Sequence, residues 1–380
     1  MKIGVDIRSL EDEPSGVSEY AESLLKNILE LDSHNQYFLF YNSYKKNTGK
    51  LRERFPYPNC QFVFFNIPNK AFNMGQTLLR RPKIDRMIGD LDLLFMPNIN
   101  FASFSKKVKT VVTAHDLSYK YFPGFFSFKR RLWHRAVAPG RIFRSADRLI
   151  AVSTNTKQDL VKLFQVPANK IEVIYSGVNS PQPEPSQSAV AAIKAKYGLG
   201  DNFILSLSNI EPRKNIESLI LAYNQIRDRG YKGQLIIAGK PSWSYHKIFS
   251  LAKRSPFQND IKFLGYVAAD AKDILYRLSD LFVYPSFYEG FGFPPLESMI
   301  QGTPVITSFN SSLPEVVSDA ALLVDPYNIN EIAAAMSLAL FDKSVRHQMI
   351  SKGQEAATSY TWKASAQKTI DLFNQLNTKS

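Results

Sequence analysis

Nine residues in the second half of the chain, Glu289-Gly-Phe-Gly-Phe-Pro-Pro-Leu-Glu297, set two carboxylates around a glycine-rich turn and a pair of prolines. They follow the strand-like run Asp280–Ser286 and lead into the helix-like stretch Leu296–Gln301. Proline suits the first turn of a helix, where a missing N–H costs nothing. The turn therefore offers free amides and the positive end of a helix dipole to whatever lies beyond the strand. Such a place suits an anion, most often a phosphate. A carboxylate repels a neighbouring anion, so Glu289 and Glu297 are better suited to gripping sugar hydroxyls. By spacing alone, a capped surface helix with solvated acids remains the alternative. A second group lies in Ser208-Asn-Ile-Glu-Pro-Arg-Lys-Asn215, just past a strand-like run and before a helix. Arg213 and Lys214 at a helix start oppose the dipole, and make sense with an anion held between them.

Three smaller features belong to the first half. Gly16, in Ser15-Gly-Val17, opens a helix after the first strand; it would let backbone approach a ligand, though a plain turn needs a glycine too. His115 and Asp116 close the run Val111–Asp116, at a strand's carboxyl end. An imidazole there can move a proton or bond a sugar hydroxyl; the alternative is a pair that merely ties down the next loop. Asp90-Leu-Asp92 has the spacing of a divalent-metal site, but it precedes its strand and has no second ligand cluster. We read it as structural and expect no metal, with Arg213 and Lys214 supplying the positive charge.

The elements that must position these residues are short apolar runs alternating with amphipathic stretches, the pattern of parallel sheets covered by helices. In the first half the runs are Lys2–Ile7, Tyr37–Tyr41, Phe62–Phe65, Leu93–Met96, Thr110–Thr113, Arg148–Val152 and Glu172–Tyr175, with helices such as Ser18–Glu30 and Asn155–Phe164 between. The second half repeats the pattern at Phe203–Leu207, Gln234–Ala238, Ile261–Leu264, Leu281–Tyr284, Pro304–Thr307 and Ala321–Val324. The break falls in the proline-bearing run Asn179–Ser188, a stiff exposed connector. We therefore expect two α/β domains of Rossmann-like type, 1–178 and 179–361, facing across a cleft. A ligand would bind at the carboxyl ends of their strands.

With 380 residues, 44% hydrophobic and 21% charged, the chain has material for two folded cores. An acid at Asp6 interrupts any leader-like apolar run and no stretch reaches membrane-span length, so a cytoplasmic protein is expected. Cys60, the single cysteine, excludes an internal disulfide and a thiolate metal cage. The net charge of +13 is lopsided: residues 1–180 carry 27 Lys and Arg against 16 Asp and Glu. It gathers in two apolar-rich segments, Phe72–Ile88 and Tyr121–Arg144. Basic and aromatic side chains together suit an anionic leaflet; a core-facing aromatic stripe with a solvated basic back is the other reading. No helix-turn-helix, zinc-finger or RNP pattern occurs, so nucleic acid is not expected.

Together these residues resemble glycosyltransferase family 4, the retaining GT-B enzymes, over essentially the whole chain. Glu289–Glu297, followed by Gly302-Thr-Pro-Val-Ile306, looks like that family's E-x7-E signature; Glu211–Asn215 looks like its diphosphate loop. Ser15-Gly16 and His115-Asp116 match its N-terminal glycine loop and cleft histidine, Leu313-Pro-Glu-Val316 a donor-side loop, and residues 362–380 the helix that returns to the first domain. The departure is Ser208 or Asn209 where many members carry glycine. The resemblance implies that Arg213 and Lys214 hold a donor diphosphate and Glu297 the ribose. Glu289, with the Phe291 and Gly292 backbone, would grip the sugar. Gly265, Tyr266 and Val267 would lie near the base, and His115 and Asp116 near sugar and acceptor. It implies metal-free hexosyl transfer to a glycan or lipid-linked hydroxyl, with the enzyme peripheral at the inner membrane face and no cofactor beyond the nucleotide sugar. The Glu-Pro-Arg-Lys-Asn form favours GDP-mannose, with a UDP-sugar possible. A phosphorylase-like enzyme and a non-catalytic sugar-binding protein are the rival readings.

Overall fold

The computed structural model describes residues 1–10, 15–44, 48–181 and 183–377. Gln182 of the proline-bearing connector and the last three positions of the expected 362–380 segment lie outside them.

Runs rich in Val, Ile, Leu and Phe without polar alternation can be strands only where both faces are covered, which is the habit of parallel sheets. Each of the thirteen expected runs contributes a parallel strand, the central ones buried and the edge ones partly covered. The first sheet contains β1 (Lys2–Asp6), β2 (Gln36–Asn42), β3 (Cys60–Phe65), β4 (Leu93–Met96), β5 (Lys109–Ala114), β6 (Arg148–Ala151) and β7 (Ile171–Val173). All pairs are parallel, in the order β3-β2-β1-β4-β5-β6-β7. The second contains β8 (Phe203–Leu207), β9 (Gln234–Ala238), β10 (Ile261–Gly265), β11 (Leu281–Tyr284), β12 (Val305–Ser308) and β13 (Leu322–Val324). Its order is β10-β9-β8-β11-β12-β13, again parallel. In each sheet the order reverses once, between β1 and β4 and between β8 and β11. Ligands of doubly wound sheets bind outside the strand ends at such a reversal.

Contacts divide the chain into two units: Met1–Tyr121 with Phe128–Gly177 and the segment from Tyr360, and Val178–Ser359 with Phe122–Ser127. Each has its own apolar core, one around Phe40, Phe95-flanked Leu94, Val112 and Leu149, the other around Leu219, Tyr223, Leu235 and Ile306. In the first unit, helix Gly16–Leu31 buries Tyr20, Ala21, Leu24, Leu25, Ile28 and Leu29, an apolar face of helical period. Ser15 and Ser18 cap its start reciprocally. Against it lies the C-terminal helix Trp362–Asn377, which buries Trp362, Ile370, Leu372, Phe373 and Leu376. Its Phe373 ring sits 5.2 Å from that of Phe95, and Ser365 Oγ donates to the Tyr175 carbonyl at 2.6 Å. Backbone approaches so closely here that a Cβ on Gly177 would stand 2.2 Å from the Trp362 nitrogen.

Two local boundaries differ from the sequence reading. Helix Gln187–Tyr197 starts inside the connector run because Ser186 caps it, accepting from the Ala189 amide at 3.2 Å. Helix Phe293–Ile300 carries Pro294 and Pro295 in its first turn, as expected, and so begins three residues ahead of the helix-like stretch Leu296–Gln301.

Candidate functional site

Parallel strands put all their carboxyl ends along one edge, so in the second unit the loops after β8, β9, β10, β11 and β12 share that edge. Chain reversal between β8 and β11 brings two of the sequence-predicted groups together. Arg213 and Lys214 occupy a 3-10 turn, Pro212–Lys214, after β8; Glu289 lies in the loop after β11. Lys214 Nζ donates to Glu289 Oε1 at 2.6 Å and to the Tyr284 hydroxyl at 2.6 Å. Arg213 stands 3.0 Å from Glu289 Oε2, donates to the Tyr288 carbonyl at 2.5 Å, and pairs with Glu211 at 3.0 Å. Tyr284 and Ser286 also donate to Glu289 Oε1, at 3.0 and 2.5 Å. The Arg213 carbonyl accepts from Ser286 Oγ and the Phe287 amide, which fixes one loop against the other.

Burial alone would raise the Glu289 carboxyl, but the charges of Arg213 and Lys214 and the bonds from Lys214 and Ser286 outweigh it and hold it at about 2. Burial, then the like charge of Arg213, press the Lys214 ammonium below its ordinary value, against the pull of Glu289 and Glu211. Tyr284 is pushed well up, first by burial and then by Glu289, so it stays a neutral donor. Two cations and two carboxylates thus share a nearly dry site, where charge acts strongly. The cations have partners already, and an incoming phosphate would compete with Glu289 for them.

The helix start belongs to the same edge. Gly292 is the N-cap of Phe293–Ile300 at φ +117°, a conformation that side chains rarely adopt. Ser312 Oγ donates to the carbonyls of Glu289 and Phe291, and Ser311 Oγ accepts from the Glu289 amide, so the loop after β12 fixes the signature turn. Phe291 is buried, edge-on to Phe293. Glu297, on the helix's second turn, accepts from Lys272 Nζ at 2.6 Å and from the Tyr276 hydroxyl at 2.9 Å, both on helix Ala269–Leu278. It is therefore tied to the element that follows Gly265-Tyr266-Val267. Tyr266 is half exposed and lies under Lys240 Nζ, 5.0 Å from its ring centre, while Val267 is half-buried. Gly265 carries φ +69° and its carbonyl accepts from the Gly239 amide. Helix Leu313–Val317 places Glu315 in its first turn.

Ser208 and Asn209 stand where the resemblance leads one to expect a glycine, and the neighbouring loop after β9 packs tightly against them. Gly239, at φ +143°, would place a Cβ 1.8 Å from the Ser208 carbonyl oxygen.

In the first unit His115 and Asp116 follow β5. The His115 Nε2 lies 2.7 Å from the Pro97 carbonyl, which can only accept, so Nε2 carries the proton and Nδ1 the lone pair. Burial depresses the imidazole to about 4, despite the Pro97 bond and the Asp116 charge. At neutral pH it is an uncharged group, suited to accepting a hydrogen bond rather than to acting as an acid. The Tyr20 ring meets it edge-on at 4.5 Å. Asp116 accepts from the Ser118 amide at 2.5 Å. Gly16 is exposed at the first position of its helix. Asp92 accepts from the Lys2 amide at 2.7 Å, anchoring the start of β1, and no group of three His, Cys, Asp or Glu side chains with metal-holding geometry occurs among the described residues.

Sequence reasoning missed Tyr284, Ser286, Ser311 and Ser312. A signal existed for the first two: strand alternation puts residues 284 and 286 on one face, two positions apart. Nothing local marks the serines after β12, whose role depends on long-range packing.

Residues 14–181 match the family model described as Glycosyltransferase Family 4, and residues 190–356 the model Glycosyl transferases group 1. The chain is 32% identical over 279 residues to the O-antigen chain mannosyltransferase B of Escherichia coli, covering 73% of each. Among solved structures it resembles the sucrose-phosphate synthase of Thermosynechococcus elongatus, with a TM-score of 0.77 and 20% identity, covering 100% of both chains. It also resembles Anabaena Alr3699/HepE in complex with UDP and glucose, with a TM-score of 0.76 and 20% identity, covering 99% of this chain and 100% of that one. At such identity the structural likeness establishes the fold, which is GT-B.

Proposed function

The chain belongs to glycosyltransferase family 4, and we propose that it moves a hexose, with retention at the anomeric carbon, from a nucleotide-diphosphate sugar to a hydroxyl of a glycan or lipid-linked acceptor. The observation that carries this reading is the convergence of Arg213, Lys214 and Glu289 at the chain reversal of the second sheet. As the bond to the sugar breaks, negative charge builds on the departing diphosphate and positive charge on the ring. Arg213 and Lys214 oppose the former, and a fixed cation that meets charge only as it develops lowers the barrier. Glu289, kept ionised chiefly by Arg213 and Lys214 and aimed by Tyr284 and Ser286, holds sugar hydroxyls. Glu297 serves the ribose, and the Gly265–Val267 loop the base. His115, neutral, and Asp116 serve the sugar or acceptor, and Gly16 admits the donor to the first unit's helix start.

The acceptor hydroxyl attacks on the face the diphosphate leaves, its proton passing to a leaving phosphate oxygen, so no enzyme carboxylate forms a covalent bond. In this reading no divalent ion takes part; transfer persisting in EDTA supports it, and transfer abolished by EDTA overturns it. GDP-mannose is the favoured donor, supported by the mannosyltransferase name of the Escherichia coli relative and by the Glu-Pro-Arg-Lys-Asn loop. Screening donors by mass spectrometry with simple acceptors tests the function, and thermal stabilisation by UDP but not GDP would replace GDP-mannose with a UDP-sugar. The lipid-linked form of the acceptor fits an enzyme that works against an anionic membrane face. No helix among the described residues is long and apolar enough to cross a membrane.

A further inference from the structure

In the first unit, parts of the two basic, apolar-rich segments turn outward, although Phe72, Ile84, Val137, Ile142 and Phe143 from the same segments join the core. In the first, Asn69–Met74 runs into a single π-turn, Gly75–Leu79, then a left-handed Arg80 and the short helix Ile84–Ile88. Phe72 and Gln76 point inward, which leaves Met74, Leu78 and Leu79 exposed at 60%, 72% and 76%. Arg80, Arg81 and Arg86 are exposed beside them, and Asp85, the only acid within 72–88, is turned inward onto the Ser105 amide. Burial, and then the like charges of Arg80, Arg81 and Arg86 against Asp85, lower the Lys83 ammonium below its ordinary value. The segment carries more positive charge than its own acid offsets.

The second is helix Phe128–Val137, in which Val137 is the buried residue. His134 faces inward, stacked on Tyr119 at 4.1 Å, and Trp133 meets Phe101 edge-on at 6.0 Å. The opposite side carries Phe128 and Leu132, 74% and 55% exposed and four residues apart, with exposed Lys129, Arg131 and Arg135 around them. The Arg131 guanidinium lies 6.0 Å from the Phe128 ring centre. No acid lies in this helix. The two elements are neighbours through one short segment. Phe101 touches Trp133, while Ser103 bonds the Arg80 carbonyl at 2.6 Å and Lys83 Nζ at 2.9 Å.

Leucines and a phenylalanine pointing outward among arginines match the headgroup boundary of an anionic leaflet: apolar tips enter the acyl edge while cations meet lipid phosphates. We propose that Met74–Arg86 and Phe128–Arg135 together form the docking face through which this protein sits on an anionic membrane. The inference deepens the reading of a membrane-borne acceptor and rests on it. Charge complementarity commits it to anionic lipid, and the exposed apolar row separates it from a bare polyanion site, which needs cations without hydrocarbon.

The test is co-sedimentation of the full chain with vesicles of phosphatidylcholine alone, or mixed equally with phosphatidylglycerol, at low and high salt. The protein should pellet with the mixed vesicles at low salt and be released by salt. Arg131→Gln with Arg135→Gln should lower partition about 25-fold, or about fivefold per cation removed. Leu78→Ser with Leu79→Ser should lower it at least as much, because both side chains enter the acyl edge. These residues are exposed, so unchanged melting curves verify folding. Absence of binding to mixed vesicles overturns the inference. So does loss of binding by the arginine variant alone with tighter retention of single-stranded RNA, which would mark a polyanion site. Concentration-dependent self-association abolished by the leucine variant would mark the face as a dimer contact and also overturn it. Donor hydrolysis, measured on the same samples without vesicles, keeps this inference separable from the proposed reaction: either can fail while the other stands.

Discussion

Replacing Lys214 by methionine keeps an unbranched apolar stem and removes the ammonium with its charge and two short bonds, one to Glu289 and one to Tyr284. Glu289 would remain, 7% exposed, with a carboxylate to accommodate. Breaking one side of a buried ion pair costs about 3–5 kcal/mol. Arg213, Ser286 and Tyr284 still serve that carboxylate, so the lower figure, about 3 kcal/mol, applies. A unit of this size loses about 2–4 °C per kcal/mol, so its melting transition should fall by about 6–12 °C. Adding Glu289→Gln removes the stranded charge, and the double variant should regain about 2 kcal/mol relative to Lys214→Met. Activity should behave otherwise. Loss of one contact to developing charge lowers kcat by about two to three orders of magnitude, and the double variant should be no better. Differential scanning calorimetry and a donor-turnover assay on the two single variants and the double give the complete cycle. An unchanged melting temperature for Lys214→Met, or a double variant less stable than either single one, refutes the buried pair. An unchanged kcat refutes the catalytic cation.

Arg213→Ala should lower kcat by about two orders of magnitude, from steady-state kinetics with saturating donor, and a kcat near wild type would remove Arg213 from its role. His115 has its imidazole depressed from 6.5 to about 4, so the unfolded chain takes up the proton first. Its contribution to stability is whole above pH 6.5 and is lost as pH falls toward 4, about 3 kcal/mol in all. Histidine NMR should show no titration of this ring near pH 6, and the penalty of His115→Gln, from urea denaturation, should shrink as the solution is acidified. Gly239→Ala should lower stability by more than about 2 kcal/mol, since the added carbon meets the Ser208 oxygen at a positive φ; the same urea titration checks it.

Much of the fold was legible because it rests on composition over short windows. Runs such as Leu281–Tyr284 and Phe203–Leu207 have no polar face and must lie inside a covered sheet. The pairing of Arg213 and Lys214 with Glu289 was legible in part, since both groups follow strand ends. That Glu289 neutralises both cations was not, for it depends on the lateral neighbours β8 and β11, which are separated by 73 residues of chain. Tyr284 hid within an apolar run, where a hydroxyl adds little to the pattern. The outward-facing Leu78, Leu79, Phe128 and Leu132 could not be told from core residues, because periodicity gives a face and not its direction.

Helix Trp362–Asn377 packs into the first unit although the second unit precedes it in the chain, and this sets an order on biosynthesis. Tyr20, Leu24 and Ile28 emerge from the ribosome long before Phe373 and Leu376 exist to lie near them. The amino-terminal half must wait, one flank of its oldest helix bare, until the second unit and helix Trp362–Asn377 have both been made. A fragment stopping at Gly177 inherits that bare flank permanently, and its natural remedy is the last segment supplied as a separate peptide.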